Sequence, residues 1–259
     1  MKRHHAGLAA LGLALAASAA AGEDFRWQGR VAPGQAVEVK GVNGGIDAEP
    51  AGGAEVEVTA VKRARKSDPD EVEIKVVEHA GGVTVCAVYP SRDADRPNEC
   101  APGAGGRMNT RDNDVNVKFT VRVPAGVRFV GRTVNGGIEA RDLPADAEAY
   151  TVNGGIRLES AGVARGETVN GGIHASLGRA DWQGELSLKT VNGGIELVVP
   201  AGLDAELDAR TVNGDISTDF PLTVRGRFSK RRVSGTIGAG GRKLELETVN
   251  GGIELRQKG

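Results

Sequence analysis

Two cysteines, two histidines and three regularly spaced glutamates carry most of the reactive chemistry that this chain could perform. Cys86 and Cys100 are the only cysteines. Their spacing is wrong for a Cys-x-x-Cys redox pair, and a zinc site would need two further ligands. In an exported chain two such thiols join, and closing a loop of about 15 residues contributes ~3 kcal/mol in the chain-entropy account. Past the first few residues, the only histidines are His79 and His174, which stand isolated from each other and from any candidate nucleophile. Glu139, Glu196 and Glu254 recur at equivalent places in a repeat. Acidic residues on a β-helix can cleave polysaccharides, so a carbohydrate-active β-helix enzyme is the alternative reading. That chemistry needs paired carboxyls ~5–9.5 Å apart in a cleft, and a column of like charges does not by itself supply one. Nucleophile-elbow, phosphate-loop and metal-helix motifs are absent from the sequence. Asp93, Asp95, Asn98, Glu99, Asp112, Asn113 and Asp114 lie in a polar stretch, 90–114, that could hold calcium. Their spacing does not match an EF-hand loop, and a solvated loop is expected there instead. No cofactor is expected.

The element that must position these residues is a hexamer. It reads GVNGGI at Gly41–Ile46, then TVNGGI at Thr133–Ile138, Thr151–Ile156, Thr168–Ile173 and Thr190–Ile195. TVNGDI follows at Thr211–Ile216, a divergent RVSGTI at Arg232–Ile237, and TVNGGI again at Thr248–Ile253. From Val134 the steps between the hexamer valines are 18, 17, 22, 21, 21 and 16 residues. A period near 20 residues is that of a solenoid, in which no unit can bury its own apolar face and stacking buries a shared one. Asn-Gly-Gly and the β-branched residues oppose helix. The predicted fold class is therefore all-β: a parallel β-solenoid, β-helix-like, with an amino-terminal strand-rich cap.

Alternation supports strands on both sides of each hexamer. Leu186, Leu188 and Thr190 share one face against Glu185, Ser187 and Lys189, and Ile195, Leu197 and Val199 share a face after the bend. Asn-Gly-Gly makes the bend, because Asn and Gly adopt positive φ cheaply. Stacked coils lie ~4.8 Å apart. Asn43, Asn135, Asn153, Asn170, Asn192, Asn213 and Asn250 then form a column, interrupted at Ser234. These side chains either bond along the axis as an amide ladder or are present only for the backbone shape of the turn. Alternation turns the Thr column inward, which argues against an exposed Thr array for ice or mineral. The neighbouring Val either lies at a corner packed under a loop, which is the expectation, or forms an exposed stripe.

Longer strands precede the regular repeats: Glu55–Val61, Val72–Val77, Val83–Tyr89 and Val115–Val123. They are expected to form elongated first coils that cap the stack. The polar end Arg256–Gly259 puts charge on the last edge. At the other end, Lys2, Arg3, the apolar run Ala6–Ala17 and the small residues after it read as a secretory signal peptide, too short for a comfortable membrane span. Three segments follow: 1–21 signal peptide; 22–125 amino-terminal coils and cap with the disulfide loop; 126–259 solenoid. Cleavage leaves 31 basic residues against 34 acidic ones, a net charge of −3. Such a near-neutral chain gives no basic patch for nucleic acid. Aromatics are only 3% of residues, so Val, Ile, Leu and Ala must build the core.

The VNGGI repeats, the Val-Pro-Ala-Gly step at Val123–Gly126 and the signal-like start together resemble a bacterial family of adhesin-like proteins, domain of unknown function 4097. The resemblance covers roughly Phe25–Glu254. It implies a β-helix-like fold and an envelope or secreted setting, and it brings no catalytic residues. The expected function is a non-catalytic, exported structural or adhesin-like envelope protein. It would be periplasmic, secreted or at the cell surface, with no stable membrane span after cleavage. It would bind an envelope protein or glycan through the solenoid side.

Overall fold

The computed structural model describes residues 20–21, 24–224 and 229–259. The expected signal peptide lies outside them except for Ala20–Ala21, which pair antiparallel with Ala64 and Arg63. Among the described residues strands form two eleven-stranded sheets, and each coil contributes one strand to each sheet on either side of the hexamer turn. The second sheet carries the strand that leads into a turn, such as Ala147–Tyr150, and the first carries the strand that leaves it, such as Ile156–Ser160. This is the β-solenoid architecture that the near-20-residue period requires.

Successive coils stack in parallel and in register. In the first sheet Ile46, Ile138, Ile156, Ile173, Ile195, Ile253 and Ile216 lie side by side. All but Ile216 are buried. Facing them across the core are small or branched residues of the second sheet, including Val39, Ala149, Leu188, Leu246 and Ala209, all fully buried. Gly131 belongs to the same row, where a Cβ would lie 3.0 Å from both the Ile138 side chain and the Phe129 ring. That missing side chain makes room for the Phe129 ring in this row of the core.

Both ends turn antiparallel. At one end, Val56–Ala64 pairs antiparallel with Asn116–Val123 and Phe25–Gly29 covers it, while Glu73–His79 covers Gly82–Val88. At the other end, Arg232–Ile237 runs antiparallel to Ala205–Arg210, and Leu222–Val224 pairs with it. The amino-terminal strands expected to cap the stack thus do so as antiparallel pairs, which ends the parallel ladder without a long open edge.

The far end departs from the order of the sequence. The last coil, with strands Arg242–Glu247 and Ile253–Gln257, lies between the Glu185–Val199 coil and the Ala205–Thr218 coil in both sheets. The RVSGTI hexamer is not a rung at all. Its six residues form the antiparallel strand just described, so Ser234 does not interrupt the Asn column.

Candidate functional site

Seven turns of one shape run along one edge of the molecule. Each spans five residues between strands: 41–45, 133–137, 151–155, 168–172, 190–194, 211–215 and 248–252. The Thr side chain points in. Thr133, Thr151, Thr168, Thr190, Thr211 and Thr248 are buried, and each hydroxyl donates to a Gly carbonyl of the neighbouring rung at 2.8–3.0 Å. A buried hydroxyl without a partner would be costly, so this bond explains why Thr suits an inward position.

The Asn side chains form the ladder. Nδ2 of Asn135 donates to Oδ1 of Asn43 at 2.9 Å, and the pattern continues through Asn153, Asn170 and Asn192 at 2.8 Å per step. Asn250 then donates to Asn192 at 2.7 Å and Asn213 to Asn250 at 2.8 Å. Nδ2 of Asn43 closes the first end on the Asn113 carbonyl at 3.2 Å. The backbone also stacks here: each Asn N–H after Asn43 donates to a Val carbonyl of the preceding rung, for example Asn153 to Val134 at 2.7 Å, while that of Asn43 donates to the Tyr89 hydroxyl at 3.3 Å.

The reason for glycine differs from the expected one. Among the described residues the hexamer asparagines do not adopt positive φ, and Gly44 is the only hexamer glycine that does, at 120°. The first glycine is required by close approach. A Cβ on Gly136, Gly154, Gly171, Gly193 or Gly251 would lie 2.1 Å from a Gly carbonyl oxygen of the adjacent rung. The second glycine is less constrained, since a Cβ on Gly194 meets its nearest atom at 3.3 Å and the same place holds Asp215 in another rung.

The valines are not packed under loops. Val134, Val152, Val169 and Val191 are 38–39% exposed and Val212 is 54% exposed, so they form the stripe that alternation allowed. With Thr fixed inward, period two sends the next residue outward, and that signal was available in the sequence. Val42 at 8% and the half-buried Val249, whose rung lies between those of Val191 and Val212, are the exceptions. Val42 shares a pocket with Val134 and with Glu99, Gly105, Gly106, Arg107 and Met108 of the disulfide loop.

That loop is fastened at several points. Cys86 and Cys100 are bonded, with Cα atoms 5.7 Å apart. Lys40 Nζ donates to the carbonyls of Ala101, Gly103 and Gly105 at 2.8–2.9 Å, while burial pulls its pKa down against the opposing pull of Glu38. The buried Glu38 carboxylate accepts from Thr84, the Gly103 N–H and Arg132 at 2.8–3.0 Å. Arg132 also lies 4.0 Å from the Tyr150 ring centre, and burial together with Glu148 pushes the Tyr150 phenol up to about 12. Sequence reasoning missed this cluster because its members come from four separate coils.

The acidic candidates are spent locally. Asp114 accepts from the backbone N–H groups of Arg65, Lys66 and Ser67, which hold its carboxyl below the ordinary value. Asp93 accepts from the Asp95 N–H, and Asn98 is tied to Tyr89 and Asn109. Glu139, Glu196 and Glu254 follow the Ile column on the open face of the first sheet. Arg157 lies 2.7 Å from Glu159 and 4.0 Å from Glu139. His174 Nδ1 is 3.0 Å from Glu196, and Arg256 pairs with Glu196 at 3.3 Å and with Glu254. This face is a network of alternating charge beside a glycine-floored groove that runs along the turns.

Residues 136–256 match the family Toastrack DUF4097. Just under half of the chain, its repeat-bearing carboxyl-terminal part, is therefore similar to that family. Toastrack proteins have a β-solenoid-like fold, and the parallel coils of this chain are of that kind. No curated protein matches the chain. Among solved structures, a "putative cell adhesion protein" from Clostridium sporogenes is 11% identical, with a TM-score of 0.45 over 91% of this chain and 100% of its own. A "putative adhesin" from Bacteroides fragilis is also 11% identical, with a TM-score of 0.39 over 90% of this chain and 97% of its own.

Proposed function

We propose that this protein is an exported, non-catalytic, adhesin-like scaffold of the cell envelope that binds a partner along the turn edge of its solenoid. The observation that carries the reading is the valine stripe. Of the seven large apolar side chains exposed among the described residues, five are hexamer valines, aligned rung by rung. Contiguous exposed apolar surface marks a contact region more often than scattered apolar residues do. Here the amide ladder beside it fixes the spacing of the valines at the ~4.8 Å rung step. The partner is an envelope protein or glycan. Export rests on the basic and apolar start of the sequence and agrees with a disulfide, which persists in oxidising compartments.

The test compares the mature protein with a Val152→Lys, Val169→Lys, Val191→Lys variant, using pull-down from envelope fractions and a glycan array. The variant should lose a specific bound partner while keeping its melting temperature, because all three side chains are exposed. Unchanged capture would remove the turn edge as the binding surface. Turnover of a polysaccharide that disappears in Glu196→Gln would replace the scaffold with an enzyme.

A further inference from the structure

The hexamers contain seven Asn-Gly pairs, and the fold treats one of them differently. We propose that Asn213–Gly214 is a self-modification site, where the chain deamidates through a succinimide while the other six pairs stay intact. The chemistry is general for Asn followed by Gly. The deprotonated backbone nitrogen of the glycine attacks the Asn Cγ, the new C–N bond closes a five-membered imide, and the Cγ–Nδ2 bond breaks to release ammonia. Water then opens either imide carbonyl, giving aspartate or isoaspartate. The reaction needs a free glycine N–H and an Asn amide able to rotate toward it.

Six pairs lack that freedom. The N–H groups of Gly44, Gly136, Gly154, Gly171, Gly193 and Gly251 each donate to the Asn carbonyl of the next rung at 2.9–3.0 Å. Each of their Asn amides both donates and accepts: those of Asn135, Asn153, Asn170, Asn192 and Asn250 within the ladder, and that of Asn43 between Asn135 and the Asn113 carbonyl. Ring closure there would break three bonds in a row of stacked rungs.

The terminal rung is built otherwise. The strand Ile216–Thr218 ends the first sheet, and among the described residues the Gly214 N–H has no backbone acceptor. Asn213 donates to Asn250, and among the described residues nothing donates to its Oδ1. The flanks remain anchored, with the N–H groups of Thr211 and Ile216 donating to Arg231 and Lys230 at 2.9 and 3.1 Å. Chain order alone would make Asn250 the end of the column. The insertion of the last coil protects Asn250 and leaves Asn213 outermost. Isoaspartate at this place lengthens the backbone by one atom and disrupts the Gly251 N–H to Asn213 carbonyl bond.

Trypsin separates all seven pairs, because a Lys or Arg lies between each and the next. The folded full chain is incubated at mildly alkaline pH, and each tryptic peptide is followed by mass spectrometry with isoaspartyl methyltransferase labelling. The Asn213 peptide should be modified at least about tenfold faster than any other, since the inner rungs must open locally first. In urea the seven rates should converge. Equal rates in the folded protein, or fastest reaction at Asn250, would overturn the proposal. So would an Asn213 excess that persists unchanged in urea, because flanking sequence and not the fold would then set it.

Discussion

The turn edge and the opposite edge of the solenoid close the same coils by opposite means. On the turn edge every closure has five residues and nearly one sequence, and the rungs between the two ends share one hydrogen-bond pattern. On the opposite edge the closures differ in length, spanning 144–146, 161–163, 178–184 and 200–204. Each closure there has its own solution. Ser160 bonds the Ala145 carbonyl, Asp146 caps the Val163 N–H and pairs with Arg179, and Asp204 caps the Ala239 N–H. Buried residues plug the gaps individually, with Val163, Trp182, Leu203 and Phe220 contributed by different loops. Repetition of sequence therefore follows backbone proximity. Where rungs touch backbone to backbone, one residue type fits, and where side chains mediate the contact, many do.

The comparison can be broken most forcefully on the variable edge. Trp182 is 3% exposed and its indole N–H donates to the Lys243 carbonyl at 3.0 Å, tying one loop to the inserted last coil. Trp182→Ala should cost about 3–5 kcal/mol, read from denaturant unfolding. A loss below ~1 kcal/mol would mean that the loops only decorate a stack held by its turns. Next comes Gly193→Ala. The added Cβ would meet the Gly171 carbonyl at 2.1 Å, so the rungs must part, at about 2–3 kcal/mol. Gly194→Ala, one residue along, should cost under ~1 kcal/mol, because Asp215 fills the equivalent place. Equal effects at the two glycines would remove the proximity argument. Third is Asn192→Leu, which takes the donor from Asn170 and the acceptor from Asn250. Both are exposed and water can replace the lost partner, so the melting curve should report only about 1.5 kcal/mol.

Much of this difference was legible in the sequence, and the part that was not has identifiable causes. The hexamer period gave the coil, period-two alternation gave the inward Thr and Ile columns, and residue type allowed the Asn ladder. The exposure of Val152 and its counterparts was implied by the same alternation, yet a corner packing looked better because exposed valine is unfavourable. The insertion of the Arg242–Gln257 coil before the Ala205–Thr218 coil was invisible, because stacked rungs of one sequence are interchangeable neighbours. RVSGTI was misread as a degenerate rung for a related reason. Arg232 and Ser234 still alternate as a strand does, and only pairing direction separates a rung from an antiparallel cover. The cluster of Lys40, Glu38, Arg132 and Tyr150 had no local signal at all, since register across coils brings it together.

The smallest expected effect isolates the two uses of glycine. Gly202, on the variable edge, has φ at 79° and nothing within 4 Å of where a Cβ would stand. Its constraint is conformational, so Gly202→Ala should cost about 1 kcal/mol for placing an L-residue in the left-handed region. Asn enters that region more readily than Ala, so Gly202→Asn should recover part of that loss. At Gly193 the order must differ, because the obstacle is a carbonyl oxygen and not a dihedral angle. Gly193→Asn should be at least as damaging as Gly193→Ala. Thermal melts of the four variants decide the matter, and recovery by Asn at both glycines would show that one rule governs both edges.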